Sequence, residues 1–121
     1  KIIDKRTLYD VKCSKIVNEE AEKLGGKAIL CRTGASYTRY EINKNHIPFG
    51  GEFSGHICFN DTWPGFDSGI YSGLRMLEIL SNTNINASEL LNDITKYYNT
   101  PEIKVPVTDE SKFKIIDKIK E

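Results

Sequence analysis

No run of apolar residues in this chain approaches the roughly 20 that a membrane-spanning helix requires, and the N-terminus lacks the apolar centre of a secretory signal. Neither sign of charge is in excess, since 17 Lys and Arg face 17 Asp and Glu. Such a surface has no field to gather polyanions, so neither nucleic acid nor a membrane is expected as a partner. The chain has only two histidines, and its three cysteines, Cys13, Cys31 and Cys58, include no close C-x-x-C pair. A zinc site is not indicated. An odd number of cysteines, each beside apolar strand-like residues, predicts buried reduced thiols rather than a disulfide framework, and with it a soluble, cytoplasmic protein. No nucleophile sits with an evident base, and no carboxylates alternate as metal ligands do. The acids of "NEE" (18 to 20) and "DES" (109 to 111) read as helix-face or helix-cap residues. No catalytic residue, metal ligand or cofactor is therefore expected within this chain.

What is present is enough for one domain. The 121 residues, 39% of them hydrophobic and 28% charged, can bury a single core. The only methionine is Met76, so Lys1 is not an initiator residue. The expectation is a piece of a longer protein.

The pattern alternates strand and helix. "TLYDVK" (7 to 12) reads as a strand, and Ser14 can cap the helix "KIVNEEAEKLGG", which Gly25 and Gly26 stop. "KAILCRTG" is a second strand, followed by the helical stretch "SYTRYEINKN" with Tyr37 and Tyr40 on one side. Two βα units in succession argue for a parallel sheet. "IPFGGEFSGHICFND" has apolar arms around a glycine-rich centre, as in a hairpin or a bulged strand, so the sheet becomes mixed. After a Pro-Gly turn, Asp67 is placed to cap a helix whose stripe runs through Ile70, Leu74, Leu77 and Leu80. "NASELLNDITKYY" predicts a shorter helix, and the two together are expected to cover the sheet. Pro101 and Pro106 then bracket an extended run before a basic amphipathic helix. The resulting fold class is α/β, a mixed and largely parallel sheet flanked by helices in a three-layer α/β/α sandwich.

Three stretches could carry chemistry. In "GGEFSGH" an acid, a hydroxyl and an imidazole alternate, and if the segment is extended Glu52, Ser54 and His56 share a face. One reading is the polar outer face of a hairpin. The other is carbohydrate recognition, because a carboxylate can accept two hydroxyl hydrogens while a serine both gives and receives. Gly51 and Gly55 would then admit a sugar ring close to the backbone. "RTGAS" (32 to 36) lies where a strand passes into a helix, which is either a phosphate cradle or a plain turn. Lys12, at the end of the first strand, either reaches the same edge as Arg32 or is a solvated surface lysine.

"GGEFSGHICFND" followed by "GFDSGIYSGLRMLEILS" resembles the third domain of the phosphohexomutases, the phosphomannomutase/phosphoglucomutase superfamily. "YDVKCSK" matches the strand that opens that domain, and "IKVPVTDESKF" is similar to the crossing into the fourth. The motifs are collinear from about Thr7 to the end of the chain.

The resemblance implies a four-domain enzyme that moves phosphate between the 1- and 6-positions of a hexose through a bisphosphorylated intermediate. It further implies a phosphoserine loop in the first domain, magnesium held by an Asp-rich loop in the second, and a phosphate grip in the fourth. None of those loops is in this sequence. Residues 1 to 101 would be the sugar-binding domain and residues 102 to 121 an interdomain strand with the first helix of the next domain. Carried over by position, Glu52 and Ser54 would bind the O3 and O4 hydroxyls, with Gly51 lining the loop and Lys12 and His56 near the substrate. Phe53 stands where glucosamine-directed relatives tend to have Gln, which leans away from a phosphoglucosamine mutase. Ala35 stands where many members have histidine, removing one possible contact. A freestanding carbohydrate-binding or interaction module is the alternative from a different class.

Overall fold

Four strands form one sheet in the order β2, β1, β3, β4, with β1 Arg6–Asp10, β2 Lys27–Cys31, β3 Phe49–Gly51 and β4 Ile57–Phe59. The computed structural model of the chain describes residues 4 to 121. The first three residues of the expected domain therefore lie outside the described part. β1 runs parallel to both β2 and β3, while β4 returns antiparallel to β3, which gives the mixed, largely parallel sheet that the sequence pattern predicts. Helix α1 (Ile16–Lys23) links β1 to β2, α2 (Ala35–Asn45) links β2 to β3, and α3 (Gly69–Ser81) follows β4. Two parallel crossovers of this kind need helices, because a hairpin turn cannot reverse the chain twice.

Gly25 and Gly26 end α1 as expected. Gly25 adopts φ 70, and the amides of Gly25 and Gly26 donate to the carbonyls of Glu22 at 2.9 Å and Ala21 at 2.7 Å. These bonds satisfy carbonyls that the helix end would leave unpaired.

The core lies between the sheet and α2. Leu8, Gly50 and Cys58 are neighbours across three strands and so point to one face, where Ile42, fully buried, packs with Ile47 and Cys31. A Cβ on Gly50 would come within 2.6 Å of the Ile42 side chain, so the missing side chain is what lets α2 lie this close. The buried face of α2 carries Thr38 and Ile42 rather than Tyr37 and Tyr40, which are exposed. On the opposite face a cleft of about 560 Å³ is lined by Val17 and Ala21 of α1 with Leu24 just after it, by Phe49 and Phe59 of the sheet, and by Arg75 of α3. Helices thus stand on both sides of the sheet, with the second side incompletely filled.

Three expected features differ. The stripe of α3 does not cover the sheet, since Ile70, Leu74 and Leu77 are all more than half exposed. The segment 87 to 98 forms only a 3₁₀ turn, Ala87–Glu89, held by a capping box between Asn86 and Glu89. Leu91 has no surface to pack against, and a helix this short does not persist without burial. Residues 95 to 108 form no strand, because Pro101 and Pro106 lack donors and no partner strand lies alongside. Helix α4 (Lys112–Lys120) closes the chain with Phe113, Ile116 and Ile119 exposed. Among the described residues no helix is long and apolar enough to cross a membrane.

Candidate functional site at the hairpin between β3 and β4

The five residues between β3 and β4 are not extended, so the alternating row does not present one face. The Gly55 amide donates to the Glu52 carbonyl at 3.0 Å and the Glu52 amide donates to the His56 carbonyl at 2.9 Å. Gly55 adopts φ 90, which a side chain would resist. The chain therefore turns tightly here, and the three polar side chains do not line up as one row.

Glu52 turns inward and is only 8% exposed. The buried Thr38 hydroxyl donates to its Oε1 at 2.6 Å, and the Ser54 hydroxyl donates to its Oε2 at 3.2 Å. A carboxylate has about four lone-pair positions, so two remain for a ligand. Thr38 lies one helical turn before Ile42 on the buried face of α2, which places its hydroxyl under the loop. Glu52 and Ser54 are brought together, and the Thr38 and Ser54 hydroxyls fix the carboxylate.

His56 is drawn away from that pair. Its Nδ1 lies 2.6 Å from Asp67 Oδ2, while Asp67 Oδ1 accepts the Ile57 amide at 3.2 Å. Asp67 was expected to cap α3. Ser68 does so instead, its hydroxyl accepting the Tyr71 amide at 3.2 Å, and the Asp67 carboxylate stands just before the helix, where a negative charge is favoured. The hydrogen bond to Asp67 and its charge, with Glu52 further off, raise the His56 pKa above the ordinary imidazole value, and the bond to His56 lowers Asp67. The His56 contribution to stability is present at low pH and is lost as pH rises through its elevated pKa. The Asp67 contribution is present above the ordinary carboxylate range and is lost as pH falls through its depressed pKa. The pair is thus held across the interval between the two. Asp67→Asn is expected to bring the His56 pKa down toward that of a free imidazole, read from the ring proton shifts in an NMR pH titration.

Lys12 lies in the turn after β1, where its Nζ pairs with Glu102 at 2.9 Å. Both side chains are exposed, and such a pair contributes about 0 to 1 kcal/mol, so the lysine is readily released. Arg32 stacks on the Tyr37 ring at 3.6 Å, which accounts for it as part of the turn into α2. Gly51 ends β3 opposite Ile57 and is half-buried, with the His56 carbonyl 3.6 Å from where a Cβ would stand.

Asp10, Thr38 and the pairing role of Asp67 did not emerge from the sequence motifs. An acid two residues after Leu8 on the same strand face was the available signal for Asp10. Its carboxylate, 1% exposed, accepts hydrogen bonds from Cys13, Thr33 and Phe53, three residues on three different loops. Beside the hairpin, a broad groove of about 880 Å³ runs between α2 and residues 58 to 67, with Ser36, Arg39 and Asp67 on its walls.

Residues 3 to 98 match the protein family described as "Phosphoglucomutase/phosphomannomutase, alpha/beta/alpha domain III". A phosphomannomutase/phosphoglucomutase of Pseudomonas putida is 43% identical over 110 residues, which is 91% of this chain and 24% of that protein. A phosphoglucomutase of Neisseria meningitidis is 36% identical over 115 residues, 94% of this chain and 25% of that protein. In three dimensions, the crystal structure of a phosphoglucomutase/phosphomannomutase family protein from Burkholderia thailandensis superposes with a TM-score of 0.73 at 38% identity. That likeness covers 79% of this chain and 21% of the other. The chain spans about a quarter of the length of the curated relatives it matches.

Proposed function

Because this chain belongs to the phosphoglucomutase/phosphomannomutase alpha/beta/alpha domain III family, we propose that it is the sugar-recognition domain of a hexose-phosphate mutase. The proposed parent enzyme interconverts 1-phospho and 6-phospho hexoses of the glucose or mannose series through a bisphosphate intermediate. The observation that carries this reading is the Glu52 carboxylate, held by Thr38 and Ser54 with lone pairs to spare on a glycine-bearing turn. Glu52 accepts the O3 and O4 hydroxyl hydrogens, and Ser54, whose one hydroxyl hydrogen goes to Glu52, offers its oxygen as an acceptor to the same pair. With Nδ1 held by Asp67, His56 keeps Nε2 for the substrate. Lys12 supplies positive charge from the neighbouring loop once it leaves Glu102.

Reading the middle of the ring has a mechanistic consequence. The bisphosphate must turn end for end between the two transfers, and adjacent hydroxyls at O3 and O4 offer a grip in both orientations. Glucose and mannose differ at C2, which this pair leaves unread, so both series fit.

The transfer itself belongs to other domains of the parent. Magnesium would supply charge neutralisation at the transferring phosphate. Among the described residues no three His, Cys, Asp or Glu side chains gather as ligands, so this chain's residues do not fit the ion and no step here runs through it. We place the domain boundary at Pro101, with residues 102 to 121 opening the next domain. The family match ending at residue 98 favours this division.

The test is an assay for conversion of glucose 1-phosphate and mannose 1-phosphate to the 6-phosphates. The full-length protein is expected to turn over both, and the 121-residue chain neither. A full-length protein inactive on both substrates would refute the proposal.

A further inference from the structure

We propose that Asp10 is the positioning residue that locks the sugar loop to the two loops beside it, so that Glu52 and Lys12 are presented to one hexose phosphate together. This rests on the sugar-recognition reading of the hairpin. Asp10 ends β1 and points to the same face as Leu8, into the floor beneath three connections. Its Oδ1 accepts the Cys13 amide at 3.1 Å and the Phe53 amide at 3.3 Å, and its Oδ2 accepts the Thr33 hydroxyl at 3.0 Å. Cys13 follows Lys12 in the β1 to α1 loop. Phe53 lies between Glu52 and Ser54, and Thr33 lies in the β2 to α2 turn.

A buried carboxylate is costly unless its lone pairs are used, and among the described residues no Lys or Arg pairs with it. Every geometric partner is a neutral donor, and each comes from a different loop. That set matches an acceptor-only group. Asparagine can keep its oxygen on the two amides and turn its N–H₂ to the Thr33 hydroxyl, but it removes the negative charge that strengthens each bond. Burial works to raise the Asp10 pKa, but the donors of Cys13, Phe53 and Thr33 outweigh it and hold the group below its ordinary value. The carboxylate therefore stays ionised and strengthens each bond. Asp10 itself is no member of the apolar core, which Leu8, Cys31, Ile42, Ile47 and Cys58 form.

Two measurements on Asp10→Asn test the proposal. In the 121-residue chain, hydrogen exchange at the Cys13 and Phe53 amides should quicken about tenfold while the Leu8 and Ile42 amides keep their protection. In the full-length protein, KM for glucose 1-phosphate should rise about tenfold, and in a Glu52→Ala background the same change should add nothing further. Thr33→Val, which deletes one donor from an exposed turn, should quicken Phe53 exchange about threefold and decides the matter if Asp10→Asn fails to fold. Unchanged exchange at Phe53, or acceleration shared equally by Leu8 and Ile42, would overturn the positioning role and leave Asp10 a fold residue. Independent effects of Asp10→Asn and Glu52→Ala on KM would overturn it as well. If loop exchange responds as expected but Glu52→Ala itself leaves KM unchanged, it is the sugar reading of the hairpin that falls.

Discussion

Glu52→Ala in the full-length protein is expected to lower kcat/KM for glucose 1-phosphate and mannose 1-phosphate by about 10²- to 10⁴-fold. The magnitude follows from two hydrogen bonds to a charged acceptor at about 1.5 to 3 kcal/mol each, with about 1.4 kcal/mol per factor of ten. Both substrates should lose equally, because the contacts proposed for Glu52 read O3 and O4 while the sugars differ at C2. Removing the carboxylate also leaves the Thr38 and Ser54 hydroxyls without their shared acceptor. Ser54 reaches water, and Thr38 does not. A modest loss of stability accompanies the kinetic effect, so steady-state rates need a circular dichroism melt of the same sample beside them. A change of preference between the two sugars would mean that Glu52 reads C2 instead.

Ile42→Ala is expected to destabilise the domain by about 2 to 5 kcal/mol, measured by urea unfolding. Ile42 is fully buried and fills the space that Gly50 leaves open above β3, in one cluster with Leu8 of the neighbouring strand. Neighbours held apart by a strand pairing cannot collapse far into the gap, so a cavity remains. Against a total of about 5 to 15 kcal/mol for a small domain, the variant would be close to unfolded. Leu74→Ala makes the matched comparison. It belongs to the most apolar stripe in the chain but is 57% exposed, and its loss should stay within about 0.5 kcal/mol. Equal losses at the two positions would place the core on the wrong face of the sheet.

The contrast between these two residues shows what the sequence made legible. Short apolar runs located β1 and β2, helical spacing located α1 to α3, and the glycine-centred apolar arms located the β3 to β4 hairpin. Those signals are local, since each element advertises its own period. Which stripe finds a partner is not local. Ile42 and Leu74 look alike in sequence, and only the close approach permitted by Gly50 selects α2. The segment after Asn86 failed for the same reason. Its capping box formed, yet Leu91 met no surface and the helix did not continue.

The candidate site was legible in its identities and not in its geometry. Glu52, Ser54 and His56 were singled out by alternation, but the turn at Gly55 keeps only Glu52 and Ser54 together. His56 goes to Asp67, a residue whose place before α3 made it look like a cap. Thr38 and Asp10 were invisible as site residues because their role comes from contacts 14 and 43 residues away along the chain. A polar residue on a buried face is the one pattern that points to such a role, and it appears only once the face is known.

The most direct measurement of the central claim is an NMR titration of the labelled 121-residue chain with glucose 1-phosphate, with Glu52→Ala as the control. Two or three hydrogen bonds to a charged group, less at least ~4 kcal/mol of association cost, leave a dissociation constant around ~1 mM or weaker without the phosphate grip proposed for the rest of the parent. The account predicts amide shifts centred on Gly51 to His56 that saturate in the millimolar range and vanish in the variant. Shifts centred on any other part of the chain, or none at about 20 mM in either the chain or the full-length protein, would contradict it.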